Sequence, residues 1–201
     1  MGCSQTRPPT YNVIHEYTHA KLTVPNSTEY ENDFEKEAFM MINLIRHEPK
    51  KFITHVKQIK NDKQYKGKNW AKLIEEMNSI QHPLPFVTLD QDANRACRQN
   101  NSELLKDQTK EPAIGGNMTH YQQILGSQAK TPNAEESTVF GWTGTAHELV
   151  LLNLLQEFEK TSKPALLDPL TTKVGMSFQA HKKTQNLFQI LYVKSNSNNI
   201  E

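Results

Sequence analysis

The chain has few cysteines, no long apolar run and no excess of charge of one sign, and each absence excludes a class of protein. Its 201 residues contain two cysteines, Cys3 and Cys97, which excludes a disulfide framework and indicates a reducing compartment. No apolar run is long enough to cross a bilayer. Lysine and arginine number 23 against 22 aspartate and glutamate residues, so no global field favours nucleic acid. We therefore expect one domain with a very polar surface.

Most catalytic motifs are missing as well: we find no glycine-rich phosphate loop, no G-x-S-x-G elbow and no internal repeat. One zinc-protease pattern, H-E-x-x-H, fits His15–His19. A zinc peptidase needs this pattern on a long helix with a third ligand downstream. Here Pro8-Pro9 and Pro25 flank it, and Leu22 stands where the extended motif has its glycine. We interpret the pentapeptide as part of a linker, and a short helical turn or transient metal binding by this segment stays open as an alternative.

The N-terminal sequence MGCSQT fits the myristoylation signal M-G-x-x-x-[ST], in which Met1 is removed and Gly2 is acylated. One myristoyl chain binds membranes only marginally, and no polybasic cluster follows in the sequence. Cys3 is therefore the expected second anchor, as an S-palmitoylated thiol. The alternative is that Gly2 and Cys3 follow Met1 by chance. The lipid interpretation predicts a peripheral, lipid-anchored protein on the cytoplasmic side of a membrane.

Hydrophobic periodicity predicts an α+β domain over residues 32–195, with helices first and strands late. A lipidated linker over 1–31 precedes it, and a disordered tail over 196–201 follows. A capping box at Thr28–Glu31 opens the first helix, and the stretch 107–141 reads as a long irregular loop. Helical patterns lie at about 32–47, 50–59, 70–77, 89–104 and 145–155, and strand patterns at 173–179 and 186–194.

Four stretches carry a family resemblance: EAFMMINLIRHEPKKFI, PLPFVTLDQDANRAC, NAEESTVFGWTGTAHELVLLNLLQE and KPALLDPLTTKVGMSFQAHKKTQNLFQILYV. In this order they resemble the CAP superfamily (cysteine-rich secretory, antigen 5 and pathogenesis-related proteins), also called SCP domains, over residues 34–194. Asn43 and Arg46 stand where the family has an asparagine and an arginine in its first helix. The resemblance implies a three-layer α-β-α sandwich, here with a disordered, lipidated N-terminal segment. One intracellular type within the family, which carries an N-terminal myristoylation signal, resembles this chain in layout.

The family's cleft often holds two histidines and two glutamates that bind a divalent metal, and the resemblance implies where their counterparts lie. Glu135 matches the first glutamate, with Glu136 in place of the asparagine that follows it, and Glu157 matches the second. Ser162 stands where one histidine is expected, and His120 is the candidate for the other. At least one ligand is therefore missing, so zinc is a poor fit and the metal is unknown. The two carboxylates are oxygen ligands, which are compatible with a weak calcium or magnesium site.

Two other residues have ordinary interpretations. His147 lies at the start of a predicted helix, where a surface position near the helix end is the default. Cys97 falls on the apolar stripe of its helix and is expected to be a small buried hydrophobe without a reactive role.

These features predict a membrane-tethered, non-enzymatic CAP domain that binds a lipid, peptide or protein partner through its cleft. We expect no cofactor and no nucleic-acid partner. One alternative is a carboxylate-dependent hydrolase or metal-binding enzyme that uses Glu135 and Glu157, which requires their carboxyl groups to converge beside an imidazole. Carboxylates that point apart, or that basic side chains cap, count against it. A second alternative is a soluble cytosolic scaffold with no lipid.

Overall fold

The computed structural model describes residues 11–60, 70–126, 131–141, 145–161 and 163–195. Several predicted features lie outside these residues: the acylation sites Gly2 and Cys3, the position of Ser162, and the tail from residue 196. No helix among the described residues is long and apolar enough to cross a membrane.

The described chain forms seven α-helices and a four-stranded mixed sheet. The helices are α1 (Val13–His19), α2 (Asp33–His47), α3 (Ile53–Lys60), α4 (Trp70–Ser79), α5 (Gln91–Leu104), α6 (Asn117–Leu125) and α7 (Ala146–Lys160). The strands are β1 (Thr88–Leu89), β2 (Ala134–Gly141), β3 (Thr171–His181) and β4 (Gln185–Lys194).

The sheet has the strand order β1-β3-β4-β2, so the two longest strands lie at its centre. β3 and β4 form the predicted antiparallel hairpin, and β2 pairs with β4 in the antiparallel sense. The short β1 pairs with β3 in parallel, which makes the sheet mixed. The hairpin prediction is confirmed, although both strands are longer than the apolar alternation indicated.

Helices cover both faces of the sheet. Successive side chains of a strand point to opposite sides, so neighbouring residues of one strand pack in different cores. On β4, Tyr192 belongs to the larger core, which contains the apolar side chains of α2 and α7. Its neighbour Leu191 belongs to a smaller core with Ala93, Cys97 and Tyr121 from α5 and α6. The predicted α+β class is confirmed, and Cys97 is fully buried as expected.

Gly175 on β3 lets α5 approach the sheet closely. A Cβ atom at this position would lie 2.4 Å from the Cβ of Ala93 and 2.5 Å from the backbone nitrogen of Asn94. Asn94 uses this proximity, because its side-chain oxygen accepts a hydrogen bond of 2.8 Å from the Met176 amide. The α5 layer is thereby held in contact with the sheet by both packing and polar contacts.

Two polar residues of α2, Asn43 and Arg46, form hydrogen bonds with backbone groups that are distant in the sequence. Asn43 exchanges two hydrogen bonds with the backbone of Val87, of 3.2 and 2.9 Å. The guanidinium of Arg46 is fully buried and donates to four backbone carbonyls. They are those of Pro85 (2.7 Å), Leu166 (2.7 Å), Asp168 (3.0 Å) and Thr171 (3.0 Å). Burial lowers the pKa of Arg46 to about 10, so it is still a cation at neutral pH.

The structure corrects the linker interpretation for the described residues 11–31. Val13 and Tyr17 lie on one face of α1 and are only 3% and 6% exposed, because the helix packs against α2. Asn12 caps α1 by accepting a hydrogen bond from the His15 amide. This segment is therefore part of the folded domain. The helix was difficult to predict because proline residues lie on both sides of it in the sequence, and because seven residues are too few to show a clear helical period.

Two further predictions were wrong in detail. The stretch 107–141 is not a long irregular loop, since it contains both α6 and β2. The N-cap of α2 is Asn32 rather than Thr28, and its side chain accepts a hydrogen bond from the Glu35 amide. The Glu35 carboxylate accepts bonds from the amides of Glu31 (3.0 Å) and Phe178 (3.1 Å), which ties the start of α2 to β3.

Candidate functional site

The structure divides the four predicted cleft residues between the two faces of the sheet. Glu135 and Glu136 are neighbours on β2, and strand geometry directs them to opposite sides. The charge of Glu135 acts on Glu157, a buried residue of α7. Glu136 lies on the α6 side, where it accepts a 3.0 Å hydrogen bond from the Met118 amide. His120 is also on α6 and contacts Glu103 at 3.3 Å. The four residues do not form one cleft.

Basic and amide groups hold the carboxylates on the α7 side. Lys194 contacts the carboxylate of Glu135, and it lies 3.0 Å from a carboxylate oxygen of Asp168. One oxygen of Glu157 accepts a 3.4 Å bond from the Leu166 amide. Burial, followed by the charge of Glu135, raises the pKa of Glu157 to about 8, so its carboxyl is largely protonated at pH 7.

This geometry counts against the hydrolase alternative, because a basic side chain caps Glu135 and His120 belongs to a different layer. Within the described residues, no group of three or more His, Cys, Asp or Glu side chains is arranged to hold a metal ion. The H-E-x-x-H residues His15 and His19 are exposed on α1, which has only seven residues. The zinc-peptidase pattern therefore lacks the long, packed helix that the chemistry requires.

A different group of residues meets beside the start of the described chain. His55 of α3 and His147 of α7 approach each other, with 3.1 Å between Nδ1 of His55 and Nε2 of His147. Tyr11 stacks on the His147 ring at a centroid distance of 4.3 Å, and its ring is nearly perpendicular to that of His55 at a centroid distance of 4.9 Å. We refer to Tyr11, His55 and His147 as the aromatic cluster. It joins three segments that are far apart in the sequence.

Burial keeps the aromatic cluster uncharged. It lowers the pKa of His147 to about 4, with a second contribution from the neighbouring His55, and it lowers the pKa of His55 as well. It also raises the pKa of Tyr11, and the Glu16 carboxylate adds to this effect. Both imidazoles are therefore neutral at pH 7. If one donates its N–H to the other, the pair keeps one outward N–H donor and one outward lone pair.

Cavities lie on either side of Tyr11. One, the His55 cavity, has a volume of about 390 Å³ and the other, the His147 cavity, about 350 Å³. Both volumes fall in the range of small-molecule sites. The His55 cavity is bounded by three rings and three charged side chains, those of Tyr11, Phe52, His55, Glu16, Glu48 and Lys51. The His147 cavity is bounded by Tyr11, Glu37 and the start of α7.

This site was not predicted from the sequence. His147 was expected at the surface near a helix end, whereas it is half-buried and stacked on Tyr11. His55 was not considered, although it follows Phe52 by three positions and so shares its helical face. That spacing was the available signal. No pattern in the sequence connects His55 with His147, 92 positions away.

No protein-family model and no curated protein sequence matches the chain. Among solved structures, it is similar to an outer surface protein from Borrelia burgdorferi, at 13% sequence identity and a TM-score of 0.39. The match covers 76% of this chain and 96% of that chain. A likeness at this level supports no conclusion about family, function or location.

Proposed function

We propose that the protein is a non-enzymatic binding domain of CAP type, tethered to the cytoplasmic face of a membrane by acyl groups on Gly2 and Cys3. The observation that carries the binding role is the pair of cavities around Tyr11, which are large enough for a small ligand or for a side group of a larger one. The four CAP-like stretches, and the presence of helices on both faces of the sheet, support the family assignment.

The non-enzymatic role is supported by what the carboxylates contact. Glu135 is paired with Lys194, Glu136 accepts from the start of α6, and Glu157 accepts from the Leu166 amide. A general base needs a free lone pair directed at a substrate. Glu135 and Glu136 instead accept from an ammonium group and a backbone amide. One oxygen of Glu157 has no hydrogen-bond partner among the described residues, but this carboxyl is buried and largely protonated at pH 7.

The tether is supported by the MGCSQT sequence and is compatible with the small number of residues between Gly2 and the cavities. Nine residue steps separate Gly2 from Tyr11, and a chain of that length spans at most about 30 Å. An acyl anchor at Gly2 would therefore keep the cavities near the bilayer surface. Two acyl chains give stable membrane residence where one gives only reversible binding.

Labelling of the full chain with myristate and palmitate analogues in cells tests the tether. We expect myristate incorporation that Gly2→Ala abolishes, and palmitate incorporation that Cys3→Ser abolishes. Cys97→Ala is the matched control, because Cys97 is the other cysteine and is fully buried; it should keep both labels and remain in the membrane fraction. A wild-type protein that incorporates neither label, or that fractionates entirely as a soluble protein, would refute the tether.

A further inference from the structure

Among the described residues that line the two cavities, negative side chains outnumber positive ones. In the His55 cavity, Lys51 contacts the carboxylate of Glu48. The carboxylate of Glu16 is therefore not neutralised by Lys51. The partner of Glu16 is His15, at 3.4 Å, whose side chain is 70% exposed and is therefore a weak competitor for the carboxylate. Among the described residues, those that line the His147 cavity include Glu37 and no lysine or arginine. Because both imidazoles of the aromatic cluster are neutral at pH 7, they do not offset these carboxylates.

Three rings form walls of the His55 cavity. The rings of Tyr11 and His55 are inclined at 79° to each other, and those of Tyr11 and Phe52 at 66°. Their centroids are 4.9 Å apart for the first pair and 6.2 Å apart for the second. A cation is attracted to an aromatic face when it lies within about 6 Å of the ring centroid. Phe52 is only 3% exposed, so the ring of Tyr11 is the main aromatic contact for a cation in this cavity.

We infer that the His55 cavity binds an organic cation of the alkylammonium class, with the ammonium group against the ring of Tyr11 and its charge opposite Glu16. This inference rests on the proposed binding function and names the ligand chemistry of the same site. A quaternary or methylated ammonium is weakly hydrated and bulky, so it gains more from aromatic walls than a strongly hydrated metal ion does. An anion would meet Glu16 and Glu48, and the lysine that lines the cavity is already paired with Glu48.

Titration of the full-length protein with tetramethylammonium, followed by calorimetry at constant ionic strength, tests the inference. We expect saturable binding with one site. The neutral isostere 3,3-dimethylbutanol should bind at least tenfold more weakly than choline, because it has the same shape without the charge. Equal binding of choline and its neutral isostere would overturn the inference, and so would the absence of saturable tetramethylammonium binding.

Variants identify the site. Glu16→Gln should weaken binding, whereas Glu29→Gln, which removes an exposed carboxylate outside the cavity, should not. Tyr11→Leu should weaken it by about threefold to thirtyfold, the range that follows from the loss of one cation–π contact, and Tyr11→Phe should retain it. Because Tyr11 also packs in the aromatic cluster, each variant is first checked for an unchanged thermal unfolding midpoint. The assigned site would be refuted if Glu29→Gln weakened binding as much as Glu16→Gln does. It would also be refuted if Tyr11→Leu left binding unchanged.

The same chemistry occurs in free amines and in the choline headgroup of lipids. Binding to phosphatidylcholine vesicles that free choline displaces would identify the headgroup as the source, and binding of choline alone would identify a soluble amine. Acylation is the separate measurement that tests the tether. Protein that is acylated but does not bind tetramethylammonium refutes only the ligand, and protein that binds it without acylation refutes only the tether.

Discussion

Glu157→Gln is expected to stabilise the protein at neutral pH, and to do so less as the solution becomes more acidic. Glu157 is 7% exposed, and burial raises its pKa to about 8 from an ordinary value of 4.5. Below pH 4.5 the carboxyl is protonated in both the folded and the unfolded chain. As the pH rises from 4.5 towards 8, the unfolded chain releases this proton while the folded chain retains it. Folding therefore loses stability across that window.

The magnitude follows from the pKa difference. Each pH unit between 4.5 and 8 costs about 1.4 kcal/mol, so the penalty is about 3 kcal/mol at pH 7. Glutamine cannot ionise and escapes this penalty, and its side-chain oxygen can still accept from the Leu166 amide. A constant offset between the two proteins is expected from the different hydrogen-bonding groups. The dependence of the difference on pH is the informative quantity.

Urea unfolding of both proteins from pH 4.5 to pH 7.5 measures this difference. We expect the free energy of unfolding of Glu157→Gln, relative to wild type, to rise by about 3 kcal/mol over the range. Glu159→Gln, which removes an exposed carboxylate from the same helix, controls for the change in net charge. A difference that stays constant within about 0.5 kcal/mol would show that Glu157 ionises normally in the folded protein, and the reasoning from burial would fail.

Three further substitutions test other parts of the structure. Arg46→Lys should destabilise the protein by about 3 kcal/mol in urea unfolding, because an ammonium cannot reach the four carbonyls that the guanidinium joins; an unchanged midpoint would contradict that role. Gly175→Ala should cost about 3 kcal/mol or more, since the added Cβ would lie 2.4 Å from Ala93; a melting temperature equal to wild type would contradict the close approach of α5. The depressed pKa of His147 predicts stability that is complete above about pH 6.5 and falls by about 2 kcal/mol by pH 5. His147→Gln should flatten that part of the profile, and a wild-type-like slope in the variant would assign the loss to other groups.

The sequence predicts the long elements well, because their apolar residues recur with the period of the secondary structure. α2, α5 and α7 and the β3–β4 hairpin all lie close to their predicted positions. α6 was missed because Gly115 and Gly116 precede it in a stretch with many polar residues and turn formers. Both positions have positive φ, which explains why glycine occupies them. In the sequence, however, a pair of glycines is typical of a loop.

The candidate site was harder to predict than the elements. Glu135 and Glu136 look like a pair in the sequence, and the strand separates them because alternate residues face opposite sides. His55 and His147 look unrelated, and the packing of α3 beside the start of α7 brings them together. Local patterns carry no information about which helix faces meet, so a site made from three distant segments requires the tertiary structure.

The contacts of Arg46 also have a consequence for the kinetics of folding. Its acceptors lie 39, 120, 122 and 125 positions away along the chain. Contacts of such high sequence separation form only after large loops have closed, which costs chain entropy and slows folding. A guanidinium cannot leave water cheaply before its partners are in place. The four bonds of Arg46 should therefore form after the rate-limiting step, and their loss should speed unfolding far more than it slows folding.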